Sequence, residues 1–487
     1  MKKLLATILA LTMVLTCVSM LAGCSNKQGS YDGKTVKISI DEWIGWQSLL
    51  DANGGLTTAP DSENAKRGIS VEYVVMNDAS ASSNALISGE LQGAGYTVNR
   101  YAFLQSKFDE AKVDVIMPFI TNYSNGGDGI IATADIKSVN DLVGKKVAVP
   151  RYSEAQTLVE WLLNNSSLTE SERKSIRNAI VYFETADDTA KAFFSGQVDA
   201  AATWEPYLTQ AASSSDSRIL FDTSMSTNLI LDGVVFTQEF VDNNEDFITK
   251  WMEAALTAAP MYKNEFKNIK KLPMFELMTD AEIIDMANGA DLASCSQNVK
   301  LLSDVAITMY KDMANVWITV GEKAYPDKAA DAFTDKFAKQ LEPQFAGMEA
   351  DNGDKEFDAP PSQIIESPDA LLAYSADIQF ELNSYNISEE SLELLDEFIK
   401  VAKVLNNAYI VIEGNASQRA TGITDEQVID FSLQRANAIA DYFIKNGIPA
   451  ERIVTVGNGD MKLADPENPA SSVNRRTGIS FKTNVGY

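Results

Sequence analysis

The chain of 487 residues contains no histidine. That removes the commonest general base, the Ser-His-Asp and Cys-His arrangements, and the usual zinc ligand. Neither a catalytic set nor a metal or cofactor site is expected, and the chain is not expected to be an enzyme. Cysteine is almost as scarce, with Cys17, Cys24 and Cys295 alone. Basic residues are few as well: 41 Lys and Arg stand against 68 Asp and Glu, for a net charge of −27. Phosphate binding needs clustered Lys and Arg, so nucleic acid is excluded as a partner, and an anionic lipid surface is disfavoured for the same reason. What is plentiful is apolar material, 45% of residues, enough for sizeable cores in roughly three globular units.

The N-terminus reads as an export signal. Lys2 and Lys3 precede an apolar run from Leu4 to Leu15 that continues through Val18 and Met20. Small residues then lead to Leu21-Ala22-Gly23-Cys24, followed by polar residues 25–30. A basic start, an apolar stretch and small residues before a cleavage point define such a segment; an uncleaved membrane-spanning helix is the alternative, since the run is nearly long enough to span. The Leu-Ala-Gly-Cys tetrad resembles the bacterial lipobox. That resemblance implies a signal peptide over 1–23, cleavage before Cys24 and lipidation of its thiol, with residues 24–35 as a tether outside the cell membrane. A lipidated Cys24 would leave Cys295 without a partner for an intrachain disulfide, and a buried inert thiol is expected there.

From residue 36 the pattern alternates strand and helix. Val36–Ile40, Val71–Met76, Val113–Ile120, Lys146–Val149, Ile180–Phe183 and Leu231–Phe236 have strand character, with helical patterns such as Ala155–Leu163 and Thr189–Phe194 between them. Strands alternating with helices predict an α/β architecture built on mainly parallel sheet. Ala85–Ala94 parallels Ala192–Ala201, each a helix end, a Gly at the C-cap and a short buried strand. Two copies about 107 residues apart suggest two similar lobes, although helix–Gly–strand is a common sequence in any α/β chain. Residues 238–340 carry helical apolar stripes, including Phe247, Trp251, Ala254 and Ala255, read as core. Residues 343–375 hold Pro343, Pro360, Pro361 and Pro368 among Gly, Asp and Glu, the composition of an interdomain linker. A final unit over 376–487 has the order β-α-β-α-β-β, starting with a strand at Ile378–Leu382, and is expected to be a small α+β sandwich.

Two lobes, an export signal and no catalytic set fit a receptor that grips a small molecule between lobes moving on a hinge. Strand-to-helix loops would supply the contacts, because helix N-termini carry unpaired N–H groups. Trp43 and Trp46 follow the first strand; Ser82 lies at a helix start; Ser124, Asn125 and Asp128 belong to a Gly-rich loop; Ser153 opens a capping-box pattern; Trp204 and Glu205 follow the strand at 198–202. Each has a plainer reading. The tryptophans can be core, Gly126–Gly129 a turn, Ser153 only a cap, and Glu205 a favourable charge at a helix start. Loop carboxylates at Asp41, Glu42, Asp128 and Glu205 would repel an anion unless turned away. The tryptophans suit a planar or cationic group. A nitrogen-containing or aromatic solute is therefore expected ahead of a sulfonate.

Pro118–Ile120 through Asn125–Ala132, Ile136–Val147 and Ser195–Pro206 resemble the sulfonate, taurine, nitrate and thiamine-pyrimidine-precursor binding proteins. The likeness spans roughly 36–340. It implies a two-lobed type II periplasmic-binding-protein fold over 36–342, with lobe 1 at about 36–118 and 236–342 and lobe 2 at about 119–235. Crossing strands are expected near 117–121 and 232–237, and delivery of the solute to an ABC permease follows from the resemblance. Ile410–Ser417, Ser432–Ile439, Gly447–Pro449, Gly457–Gly459 and Asn474–Arg476 resemble the OmpA-like domain, whose members often bind peptidoglycan. By that resemblance Arg435 matches the arginine that pairs with the diaminopimelate carboxylate of the peptide stem. Ser417 stands where the family has an Asp, and Val428 where an Asn is usual; Asp425, in a longer loop, is the candidate substitute. Arg435 packing or pairing within the fold is the alternative. A solute-sensing or scaffold lipoprotein not coupled to transport is the competing function. An enzyme on the same fold, such as a pyrimidine synthase, would be expected to need a histidine or metal set.

Overall fold

The computed structural model describes residues 33–348, 357, 361–366, 370–376, 378, 380 and 384–482. The export segment, Cys24 and most of the 24–35 tether lie outside them. The first sheet has six strands in the order β11-β4-β10-β3-β1-β2. These are β1 (Val36–Ile40), β2 (Val71–Val75), β3 (Gly93–Thr97), β4 (Val115–Ser124), β10 (Leu231–Thr237) and β11 (Ala290–Leu292). The second has five strands in the order β7-β6-β8-β5-β9: β5 (Asp128–Thr133), β6 (Val147–Pro150), β7 (Ile180–Phe183), β8 (Ala200–Trp204) and β9 (Ser217–Asp222). In each sheet three neighbouring strands pair in parallel, and every pairing beyond them is antiparallel.

The short sequence repeat is a repeat in space. The helix Ala79–Ser88 ends at Gly89 (φ 78°), and Gln92 N–H then bonds Lys37 C=O as β3 enters beside β1. The helix Ala186–Phe194 ends just before Gly196 (φ 72°), and Asp199 N–H bonds Lys146 C=O as β8 enters beside β6. Only glycine takes this left-handed geometry without strain, so each Gly ends its helix and turns the chain into the sheet.

The crossings between sheets differ from expectation. β4 stays in the first sheet as far as Ser124, and β10 belongs to it throughout. The chain therefore crosses at 125–127 and returns at 223–230, not within 117–121 and 232–237. The apolar runs there mark a fully buried pair of central strands, and burial on both faces looks the same in sequence whether or not a strand changes sheet.

The segment from 238 to 345 packs as helices, with Phe247, Trp251, Ala254 and Ala255 buried. β11 interrupts it. Trp251 packs edge-on against Phe119 and Phe236, and its indole donates to the Tyr73 hydroxyl at 3.0 Å. Cys295 is buried, and burial pushes its thiol up to about 11, which keeps it unreactive.

The C-terminal unit is a four-stranded sheet, β12-β15-β13-β14, made of β12 (Ala370–Ala376), β13 (Tyr409–Gly414), β14 (Ile453–Gly457) and β15 (Thr477–Lys482). The helices Glu389–Val404 and Asp425–Lys445 connect its strands. Its first strand lies inside the stretch read as linker, because Ala370-Leu371-Leu372 pairs with β15. Of the expected strand at 378–382, Ile378 and Phe380 are described, and Phe380 makes an isolated bridge to Ile387. The unit also contacts the return crossing. Asn407 N–H bonds Met225 C=O at 3.1 Å, its side-chain amide donates to Ser224 C=O at 3.1 Å, and Asn406 exchanges bonds with Thr227 at 2.9 and 3.0 Å.

Arg452 holds the first of these helices to the sheet. Its guanidinium is buried and donates to the carbonyls of Ala402, Leu405 and Ala408 at 3.0, 2.6 and 3.0 Å. These are orphan acceptors at and beyond a helix C-terminus, where a cation is also favoured by the dipole. Arg452→Met is expected to lower the unfolding free energy by about 3 kcal/mol, read as a shift of the urea midpoint followed by far-UV circular dichroism; an unmoved midpoint would refute that role.

Candidate functional site

The two sheets turn the ends of several strands toward each other, and charged side chains gather there. From the first sheet come Asp41, directly after β1, Arg100, in the first turn of the helix Val98–Ala111 that follows β3, and Asp232, at the start of β10 opposite Thr97. From the second come Asp128, the first residue of β5, and Glu154, the first residue of the helix Glu154–Asn164 after β6. Arg100 bridges the halves. One guanidinium nitrogen bonds Glu154 at 2.8 Å, and another lies 3.8 Å from Asp41. Beside it Asn99 donates to Thr157 at 2.8 Å, and the Phe103 and Tyr152 rings stack at 4.9 Å.

The electrostatics are unbalanced, with four carboxylates around one guanidinium. Burial raises Asp232 well above the usual carboxylate range, with Asp41, Asp128 and Glu154 adding to it. Burial, then Glu154, pushes Asp128 up to about 7. Burial, with Glu154 adding to it, raises Asp41 despite Arg100 and the Trp46 indole, which donates to it at 2.7 Å. Burial disfavours the charge on Arg100, yet Glu154, Asp41 and Asp232 outweigh it and raise its pKa. Asp232 is 4% exposed and accepts no side-chain hydrogen bond among the described residues.

The residues singled out in the sequence divide between this site and its supports. Asp128 lies in it. Trp204 faces Asp128 across the β5–β8 register, and its indole N–H makes no hydrogen bond among the described residues. Trp43 is half-buried and donates to the Asn122 side chain at 2.9 Å. That contact depends on glycine at two points. A Cβ on Gly45 would lie 2.1 Å from Asn122 Oδ1, and one on Gly127 would meet Gly289 C=O at 2.5 Å and the Trp43 ring at 2.8 Å. The Gly-rich loop thus serves close packing of the first crossing. Trp46 is core, 1% exposed. Ser82 is spent on the Tyr96 hydroxyl at 2.8 Å and Ser124 on Thr223 at 2.7 Å. Ser153 caps its helix, with Gln156 reaching back to Tyr152 N–H, and Glu205 caps Thr209. Asn125 donates to Asp291 at 2.7 Å. Glu42 is turned away, bonding Asn77 and Met274 N–H.

Arg100 and Asp232 were missed by the sequence reading, and Glu154 entered only as part of a cap. Two signals were present. An arginine in the first turn of a helix opposes the macrodipole, and an aspartate within the apolar run Leu231–Phe236 must be buried or functional.

In the C-terminal unit Arg435 faces a small cavity with Ile378, Asn415, Arg475 and Thr477. Its guanidinium lies 4.6 Å from the centres of both the Phe380 and Phe431 rings, and no carboxylate pairs with it among the described residues. Burial, then Arg475, lowers its pKa. Asp425 is not brought to it. Ten residues earlier on the same helix, it stands about 15 Å away along the axis and is paired with Arg419. Arg419 and the helix N-terminus both attract the acid and hold it there. Val428 is buried in the core, and the Ser417 hydroxyl accepts from Arg475 at 3.5 Å.

Residues 65–265 match the NMT1/THI5 like family, and residues 379–477 match the OmpA family. Over 106 residues the chain is 29% identical to the peptidoglycan-associated lipoprotein of Pasteurella multocida, covering 21% of this chain and 69% of that protein. The corresponding protein of Haemophilus influenzae is 28% identical over 106 residues, 21% and 67% of the two chains. Among solved structures, the periplasmic aliphatic sulphonate binding protein SsuA from Escherichia coli is 17% identical, with a TM-score of 0.48 over 61% of this chain and 97% of its own. The periplasmic nitrate-binding protein NrtA from Synechocystis is 12% identical, with a TM-score of 0.49 over 66% and 92%. No helix among the described residues is long and apolar enough to cross a membrane. The chain therefore joins an NMT1/THI5-like domain to an OmpA-family domain.

Proposed function

We propose that this protein is a lipid-anchored, extracytoplasmic solute-binding protein that captures a small organic solute between its lobes for an ABC permease, while its C-terminal domain tethers it to peptidoglycan. The observation that carries the first part is the convergence of buried polar and aromatic groups from both sheets at facing strand ends, where open α/β sheets bind their ligands. Two short crossings join these halves, the connection that hinge closure requires. The export signal and the Leu-Ala-Gly-Cys tetrad support anchoring through Cys24. Intact-mass analysis of the mature chain is expected to find it beginning at Cys24 with an acyl modification; any other start would remove the anchor.

Wall tethering rests on Arg435, an unpaired guanidinium between two aromatic rings at a cavity, and on the peptidoglycan-associated lipoproteins that the C-terminal domain matches. In a pull-down with purified sacculi, Arg435→Ala is expected to lose about tenfold or more in retention, the value of one charged hydrogen-bonding pair. Equal retention of variant and wild type would discard the role for Arg435.

The site also gives a pH dependence. With Asp128 at about 7 in the fold and near 3.9 when unfolded, the folded chain holds a proton that the unfolded chain has released between these values. Its stability contribution is full below about pH 4 and is lost as pH rises through about 7. The Glu154 and Asp41 carboxylates add to burial in raising Asp128, against the Ser124 hydroxyl and Arg100. The solute-free protein is expected to melt at a higher temperature at pH 5 than at pH 8, and Asp128→Asn to flatten that slope; an unchanged slope in the variant would show that Asp128 does not titrate there.

A further inference from the structure

We propose that the captured solute is an organic cation, a molecule carrying a basic or quaternary nitrogen that sits among Asp41, Asp128, Glu154 and Asp232 with the face of Trp204 beside it. This rests on the reading of the inter-lobe site as the solute site and names the chemistry that site takes.

The case begins with a surplus of acids over bases. Four carboxylates from separate strand ends share one guanidinium, and that guanidinium is already engaged by Glu154 at 2.8 Å and flanked by Asp41 at 3.8 Å. A bound anion would have to take Arg100 from its carboxylates and then face all of them in a medium of low dielectric. A bound cation requires neither. The second observation is independent of the charge count. Asp232 is 4% exposed, accepts no side-chain hydrogen bond among the described residues, and is within electrostatic reach of Asp41, Asp128, Glu154 and Arg100. A buried carboxyl group without a donor is costly, and a ligand N–H or N⁺ aimed at it removes that cost.

The geometry also separates an organic cation from a metal ion. Among the described residues no three carboxylates come close enough together to hold a metal. Carboxyl groups spread over the ends of separate strands, rather than gathered on a point, suit a larger and softer cation. Trp204 adds the π-face that such cations favour. It sits at the end of β8 opposite Asp128, and its indole N–H is unused among the described residues. Trp43, held by Asn122, closes the side formed by the first crossing.

The test uses the soluble chain from residue 25 onward and titration calorimetry with four sets of probes: choline, putrescine and benzylamine as cations; ethanesulfonate and nitrate as anions; a neutral aminopyrimidine; and sodium chloride as the ionic-strength control. At least one cation is expected to bind, with affinity falling as salt rises. Asp232→Asn is expected to weaken that binding tenfold or more while leaving the melting temperature of the solute-free protein unchanged or raised, since it removes a buried carboxyl group that accepts no side-chain hydrogen bond among the described residues. Loss of affinity without loss of stability is what a purely structural role for Asp232 would not produce. Asp128→Asn serves as the second variant and is expected to weaken cation binding in the same way. Binding of ethanesulfonate or nitrate with none of any cation would overturn the charge assignment and leave solute capture standing. Cation binding that both variants leave unchanged would place the ligand elsewhere and overturn the assignment. Silence from cations, anions and the neutral probe alike would overturn the solute site together with it.

Discussion

The contact between Arg100 and Glu154 is the constraint around which the N-terminal half is arranged. It joins the first turn of one helix to the first turn of another, and each belongs to a different sheet. A cation in the first turn of a helix is unfavourable, and a carboxylate buried between two lobes is costly alone. Each residue therefore depends on the other, and Asn99, Thr157, Phe103 and Tyr152 pack around the pair. Asp41 holds the edge of that guanidinium at 3.8 Å and accepts from the Trp46 indole at 2.7 Å, whereas Asp128 and Asp232 make no ion pair among the described residues. The site is thus stabilised across one contact and left electrostatically open at the rest.

That division explains why so many polar residues near the site are unavailable to a ligand. Ser82, Ser124, Ser153 and Glu205 are consumed by the fold, holding Tyr96, Thr223, the helix at 154 and the turn at 209. Thr223 is a hub of this kind: its hydroxyl oxygen accepts from Gly126 N–H at 2.9 Å, so the two crossings are bonded to each other. Short polar side chains at strand ends do structural work, while Asp41, Asp128 and Asp232 gather with Arg100 and Glu154 where the two sheets face each other.

Much of the architecture was legible in the sequence. Val36–Ile40, Ile180–Phe183 and Tyr409–Ile412 read as strands because their alternation or β-branched content admits little else, and the helix at 154–164 announced itself through Ser153 and Gln156. β12 did not. Ala370-Leu371-Leu372-Ala373 favours helix by propensity and stands among prolines, so only its pairing with β15, more than a hundred residues later, makes it a strand. The charged site was half legible for the same reason. Asp128 stood out in a Gly-rich loop, whereas Arg100 and Asp232 gain meaning only once β3 and β10 lie side by side. The tryptophan pair shows the limit most plainly: Trp43 and Trp46 share a loop and a composition, yet a three-residue turn sends one to the core and the other to the first crossing.

The seat of the C-terminal domain carries a mechanical consequence. Asn406 and Asn407 grip residues 224–227, and the Tyr374 hydroxyl reaches Asn165 in the second lobe. The gripped residues form one of the two straps between the sheets. A swing of one sheet against the other must therefore either shear the asparagine clasp or carry the whole C-terminal domain along. Tension applied through that domain would load the strap directly, so the ease with which the jaws part is tied to whatever the far end of the molecule is holding.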